Sequence, residues 1–398
     1  MSEFRLLSKN FVLACAATFL YFGSFYLTLP VLPRFVVGLD NGGAAVGTFQ
    51  VGLVSGFMTM TSVLVRPSFG RLSDERGRRV IMVLASCCFS LLFIAYMVVE
   101  SVLPMYVIRM AHGVAHGAML AALFAFVADL APRERRGEVM GVHGVANVVA
   151  MALFPAVGAA FMDITGSFTG LFMVSLVLAA LACGCVFMLD DPRPGAICGN
   201  MGGTTGGSKG GGMVAVFRKP PVFIASLTFM SASILYGTII TFLPIYGPRQ
   251  NVTNVGLFFT VYALFTFISR ILAGRLSDRH GRAVVIIPSL CLVAAGGFIL
   301  GGLNGNALLA LAGACVGLGF GGFMPALNAF VVDKTSGPDR SAALAFYTSF
   351  MDVGMTVGAL GFGFVGETLG YSGMYLTAAC ITCCGVALFS LYARKARR

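Results

Sequence analysis

Twelve stretches of this chain stay apolar for about the twenty residues a helix needs to cross a hydrocarbon slab of roughly 30 Å, and nothing else in the sequence narrows the possible folds as far. They lie near residues 11–33, 46–67, 79–99, 104–128, 138–160, 168–189, 221–246, 253–273, 283–303, 306–331, 341–365 and 371–392. With 58% hydrophobic residues, 11% charged ones and a mean hydropathy of +0.89, the chain has more apolar surface than a soluble core could hide. In lipid each segment must satisfy its own backbone groups, which selects helix. The expected fold is an all-α membrane protein of twelve transmembrane helices. The first run is longer than a signal-peptide core and leads into Pro30 and Pro33 without a cleavage site, so it is read as a span.

Charge placement orients the spans. With the N-terminus cytoplasmic, the loop arginines and lysines gather on one side, from Arg5 and Lys9 through Arg71, Arg76, Arg78, Arg79 and Arg133 to Arg394 and Arg398, while Arg34 and Arg249 lie on the other. This predicts an integral multi-pass protein of the plasma (inner) membrane with both termini cytoplasmic. The net charge of +11 is then topogenic, in contact with anionic lipid, and no basic domain reads nucleic acid. Ten of the eleven cysteines fall inside apolar runs and read as structural; Cys198 alone lies in a loop.

One charged phrase occurs twice. Residues 70–79 read GRLSDERGRR and residues 274–282 read GRLSDRHGR, a spacing of 204 positions that also relates Val51 to Val255, Arg66 to Arg270, Asp129 to Asp333, Arg136 to Arg340 and Gly166 to Gly370. The chain is an internal duplication, expected as two six-helix halves related by a pseudo-twofold: an N-terminal bundle (1–190), a Gly-rich cytoplasmic linker (191–220) and a C-terminal bundle (221–398). The linker contains GGTTGGSKGGG, whose glycines lose too much entropy on ordering to fold alone. Duplicated helix bundles are the architecture of secondary transporters.

Twelve spans in six plus six, a long central loop and the island after the second span, with Gly70, Asp74, Gly77, Arg78 and Arg79 matching, resemble the major facilitator superfamily over essentially the whole chain. The resemblance implies a cytoplasmic gate of Gly70, Asp74, Gly77 and Arg78, echoed by Gly274, Asp278 and Arg282, in which Asp74 docks near Arg340 and Ser341 at the start of the eleventh span. Physically, Gly70 would permit close approach of two helix ends, Gly77 a tight turn, and Asp74 would meet the positive end of a neighbouring helix dipole. The second copy has Ala283 opposite Arg79, so the two gates should contribute unequally.

A second signature of the family, RxxxGxxxG, is matched in the fourth span by Arg109, Gly113 and Gly117. An arginine at that depth costs about 2.5–3.5 kcal/mol on insertion scales and is normally paired or hydrated. His112 and His116 follow at helical spacing on one face. Beside an arginine they could load a proton or bond an anionic or metal-chelating substrate. A three-histidine metal site with His143 is not expected, since at 1.5 Å per residue His116 and His143 differ in depth by about 10 Å. Asp352 is the one acid deep in a span, about 17 Å in, and suits proton relay. The proton-coupling candidates are therefore Asp352, Arg109, His116 and His112. A helix-5 motif of the antiporters is present in part, as Gly144, Phe154, Pro155 and Gly158, with Phe154 where the resemblance leads one to expect glycine.

As the resemblance implies, spans 1, 4, 7 and 10 should line the cavity with help from 2, 5, 8 and 11. The substrate-cavity candidates are Tyr21, Phe25, Tyr26, Asn147, Tyr236, Thr241, Phe323 and Asn328, a mixture of aromatic, hydroxyl and amide groups suited to a mid-sized amphipathic molecule. Pro30 and Pro244, at equivalent places, should bend the outer ends of spans 1 and 7. The function read from these residues is proton-coupled efflux of a small organic molecule, by antiport and alternating access, in the drug and small-metabolite branch. It would act as a monomer with no cofactor, driven by the proton gradient, since no GxxxxGK loop is present. The alternatives are a proton-coupled uptake symporter for a sugar or metabolite, a metallophore exporter, and a non-transporting membrane receptor of the same fold. An enzyme is disfavoured because no nucleophile, base and oxyanion group converge.

Overall fold

The computed structural model describes residues 8–40, 42, 43, 45–131, 136–190, 219–335 and 340–395. The linker 191–220 lies outside them apart from Lys219 and Pro220, as does Cys198. The helices are α1 (Lys9–Thr28), a short α2 (Leu32–Val37), α3 (Thr48–Arg76), α4 (Arg78–Val98), α5 (Val102–Leu130), α6 (Arg136–Thr165), α7 (Phe168–Phe187), α8 (Pro220–Tyr246), α9 (Gly256–His280), α10 (Arg282–Gly301), α11 (Gly305–Asp333) and α12 (Arg340–Lys395). Eleven helical segments are long and apolar enough to cross a membrane. The last is double: Gly370 takes φ 70° within α12 and separates two spans, so the twelve spans of the duplicated pattern are present.

Glycines at matching positions of the two repeats break the chain. Gly77 (φ 95°) divides α3 from α4 as Gly281 (φ 91°) divides α9 from α10, and Gly166 (φ 62°) parts α6 from α7 as Gly370 parts the halves of α12. These are backbone conformations that a side chain resists. Elsewhere the spans continue through Pro67, Pro155, Pro244, Pro288 and Pro325, as membrane helices can when neighbouring groups satisfy the freed carbonyls. Pro30 lies in the break between α1 and α2, whereas Pro244 stays inside α8 and a 3-10 turn, Gly247–Gln250, follows. The charged island is itself largely helical: α3 runs to Arg76, so only Gly77 is free to turn.

Two units result. The first holds the chain to Ala44 and from Met60 through α7; the second takes Ala45–Thr59 and the helices from α8 onward. In the first, α1 packs on α6 and α7, and α4 on α5 and α7; in the second, α8 packs on α12, α9 and α10 on α11, and α10 on α12. The pairs repeat because the sequence does. Small residues allow the approach. A Cβ on Gly117 would come within 2.5 Å of the Ser62 carbonyl oxygen, and one on Gly237 within 2.5 Å of that of Met355.

Candidate transport site

The repeated island builds a clamp at the ends of three helices. Arg78, the first residue of α4, pairs with Asp74 in the last turn of α3, lies 3.2 Å through Nε from Asp129 Oδ2 of α5, and donates through Nη1 to Ser73 Oγ at 2.8 Å. The second unit repeats it: Arg282 Nε is 2.9 Å from Asp333 Oδ2 and Nη1 3.2 Å from Ser277 Oγ. Single half-exposed pairs of this kind are worth about 0–1 kcal/mol, but a fork with three acceptors fixes geometry as well. Asp129 and Asp333 had no role in the sequence reading, although their recurrence 204 positions apart was visible. Arg79 donates to the carbonyl of Phe187 at 2.5 Å, tying α4 to the end of α7.

Gly70 has open space around it within its own unit. A Cβ there would meet nothing within 4 Å among the described residues; its carbonyl accepts the Ser73 hydroxyl at 2.8 Å. Within the first unit a close approach of helices lies at Gly117, against the Ser62 backbone. The surroundings of Gly274 and the side chains of Asp278, Arg340 and Ser341 lie outside what the structure describes.

Deeper in the first unit, α5 carries the buried polar cluster. Arg109 is 3% exposed and His112 1%. Arg109 Nη1 donates to the Tyr96 hydroxyl oxygen at 3.3 Å, and that oxygen is 2.5 Å from His112 Nδ1. One phenol thus serves both the arginine and the histidine. The rings of Phe89 and Phe93 close around His112, with centroids 4.1 and 5.1 Å from its own. One turn further on, His116 Nδ1 is 3.1 Å from the Tyr21 hydroxyl of α1, and its imidazole stacks on the Tyr21 ring at 5.7 Å with Phe25 at 5.1 Å. Arg66 of α3 lies near enough to act electrostatically on His116 and Tyr21. Sequence reasoning recorded Arg66 only as a repeat of Arg270; an arginine inside an apolar run was the available signal.

The contact of α1 with α6 supplies more of the candidates. Tyr26 donates to Asn147 Oδ1 at 3.1 Å. His143 Nε2 is 2.7 Å from Thr18 Oγ1, so the three histidines of α5 and α6 each bond a different hydroxyl. Phe154, the departure from the family motif, is accommodated across the interface by Gly23, where even a methyl would run into the Phe154 ring. Gly158 of the same motif packs on the carbonyl of Leu27 so closely that a side chain would overlap it. The glycine missing from α6 has in effect been moved to α1.

In the second unit, Tyr236 stacks on Tyr262 (5.6 Å) and tilts on Phe320 (5.0 Å). Phe323 is fully buried against Phe229 and Phe320, and Tyr21 is likewise 0% exposed in the first unit; both stand behind the more open Tyr236, Phe25 and Tyr26. Thr241 is buried on α8. Asn328 Oδ1 is buried without a hydrogen-bond partner among the described residues. Asp352 is half-buried, and its carbonyl accepts from Thr356, whose hydroxyl also bonds Thr59 at 2.9 Å. Around that point glycines bring backbones together: a Cβ on Gly354 would lie 2.6 Å from the Met230 oxygen, and Gly52 packs on the Ala359 carbonyl. Glu367 Oε1 accepts from the Phe49 amide at 3.2 Å, capping α3. In the first unit the candidates form one cluster in which a buried arginine and histidines sit among aromatic rings; in the second, Tyr236 and Phe323 share an aromatic group and Asp352 stands on α12.

Comparison with known proteins gives one family. The model described as Major Facilitator Superfamily matches residues 14–253 and 249–398. Multidrug resistance protein MdtG of Enterobacter lignolyticus is 22% identical over 382 residues, covering 94% of this chain and 89% of that protein. The multi-drug resistance efflux pump PmrA homolog of Lactococcus lactis is 24% identical over 358 residues, covering 88% and 87%. Among solved structures, a bacterial homolog of the human lysosomal transporter Spinster, inward-facing and unoccupied, superposes with TM-score 0.77 at 14% identity over 99% of this chain and 98% of that one. The human organic anion transporter MFSD10 superposes with TM-score 0.69 at 17% identity, over 96% and 98%.

Proposed function

Because this chain belongs to the major facilitator superfamily, whose members are transporters, we propose that it expels a small organic molecule in exchange for protons. The moving bodies are the halves 1–190 and 221–398, joined by the linker 191–220. The observation that carries this reading is the buried Arg109–Tyr96–His112 group with His116 and Tyr21 beside it. Titratable and cationic side chains inside a membrane are costly unless they serve a pathway, and here hydrogen-bonded phenols hold them among aromatic rings. The names of the full-length relatives, multidrug resistance and multi-drug efflux, favour export and an amphipathic organic substrate.

The rings of Phe25, Tyr26 and Tyr236 offer apolar and stacking contact, and Asn147, Thr241 and Asn328 offer hydrogen bonds that orient a guest. Asp352 takes up the proton whose release accompanies substrate loading, and Arg109 with the histidines adjusts the local field. The positive-inside bias puts both termini in the cytoplasm of a cell whose plasma membrane holds the chain. Proteoliposomes carrying an imposed proton gradient test the reading: substrate efflux should collapse when the gradient is dissipated, and Asp352→Asn should abolish substrate-driven proton movement. Accumulation of every compound in a broad panel irrespective of the gradient would remove the exporter reading, and persistent proton flux in the variant would move the coupling to His116 or Arg109.

A further inference from the structure

On its outer side the first unit carries a groove of about 710 Å³, floored by small residues of α5, Ala111, Ala115 and Ala118, and bounded by α4 and the end of α3. Its walls are apolar and open to the surroundings: Leu84 is 58% exposed and Leu91 62%. Along α4 the lining runs from Val80 to Leu92, about 18 Å at 1.5 Å per residue, against a half-bilayer of about 15 Å. That is the reach of one acyl chain. The groove's single charged lining residue, Arg76, stands at its mouth as the last residue of α3. Arg78 and Arg79 are committed to protein acceptors; Arg76 is exposed and makes no hydrogen bond or ion pair among the described residues.

We infer that this groove is a binding site for one anionic phospholipid, its acyl chain lying along α4 and its phosphate held by Arg76. A guanidinium matches phosphate bidentately, and the face that the positive-inside bias makes cytoplasmic is the leaflet in which anionic lipids attract basic residues. A freely diffusing anion would have no use for a dry groove of acyl length, and a partner helix would leave the arginine at its end unused. The internal repeat adds a second argument. At the matching positions the other unit has His280 for Arg76, Pro288 for Leu84 and Ser289 for Ala85, so one site per chain is expected. The inference does not depend on the transport reading, and takes from it only the leaflet.

Native mass spectrometry of the full-length protein in mild detergent, titrated with phosphatidylglycerol or phosphatidylethanolamine, tests it. One phosphatidylglycerol should be retained about fivefold more tightly than phosphatidylethanolamine, the ratio expected from one arginine near an anionic headgroup. Arg76→Gln should erase that preference, and Arg71→Gln, an equally exposed arginine of the island that does not line the groove, should keep it. Cys88→Trp, from an exposed lining position, should displace both lipids; Leu84→Trp serves as a second plug should the first disturb folding. Equal losses in Arg71→Gln and Arg76→Gln would mean diffuse surface charge, and wild-type retention in a folded plugged variant would mean that the chain lies elsewhere; either result overturns the site.

Discussion

The pairing of Gly23 with Phe154 makes a quantitative claim. A Cβ on Gly23 would stand 2.6 Å from Phe154 Cζ and 2.9 Å from Cδ2, against 3.4 Å or more for ordinary contact, so Gly23→Ala must push the ring by most of an ångström. The ring is 9% exposed and leans on Phe19 at 5.3 Å, which limits where it can go. Overpacking of this kind costs about 1–3 kcal/mol. Phe154→Ala removes the ring and leaves a cavity, at a cost of about 3–5 kcal/mol in a closed core. In that background Gly23→Ala no longer meets the ring and should cost much less, so the double mutant should recover about 1–3 kcal/mol relative to the sum of the singles. For a body of some 150–250 residues each kcal/mol is about 2–4 °C. Gly23→Ala alone should therefore lower the thermal midpoint of the detergent-solubilised protein by about 2–12 °C, and by much less when Phe154 is alanine. Fluorescence-detected size exclusion after heating measures all four proteins side by side. Additive shifts would refute the idea that α1 gave up its side chain to admit the phenylalanine of α6.

Other substitutions separate structural from functional roles. Gly70→Ala should leave stability unchanged, because nothing described lies within 4 Å of the added methyl, whereas Gly117→Ala should cost about 1–3 kcal/mol against the Ser62 backbone and lower the thermal midpoint accordingly; equal stability of the two would contradict the packing. Tyr96→Phe removes the hydroxyl that Arg109 and His112 share, a loss of about 1.5–3 kcal/mol for a bond to a charged group, and transport in proteoliposomes should fall with it; wild-type stability and flux would dissolve the cluster as a unit. Asp74→Asn should reduce turnover while the protein still inserts and stays within about 1 kcal/mol of wild type, since its pair with Arg78 is half-exposed. Unchanged turnover would leave the gate without its proposed aspartate.

The clamps at Arg78 and Arg282 explain why the island is repeated. Each arginine joins the end of one helix, the start of the next and the end of a third, so the four-residue spacing within the motif and the distant aspartate form one object. Of the island's basic residues, Arg71 and Arg76 are left over by the clamp, and of the two only Arg76 lines the groove, where a lipid headgroup is the acceptor its position offers.

What was legible in the sequence was whatever the bilayer and the duplication enforce locally. Each span must be helix because lipid satisfies no backbone group, and the breaks at Gly77, Gly166, Gly281 and Gly370 stand at repeat-related positions where φ is positive. The clustering of Arg109, His112 and His116 followed from spacing alone. The assignment of partners was not legible. These helices are apolar around most of their circumference, so no stripe announces which face turns inward, and contacts depend on rotation and depth relative to chains a hundred residues away. Only the tertiary structure gave Arg78 its Asp129, set Gly23 against Phe154, put the Tyr96 hydroxyl between Arg109 and His112, and laid Gly117 on the Ser62 backbone. In a membrane protein the hydrophobic effect specifies that a helix spans; small residues and shared hydrogen bonds decide what it touches.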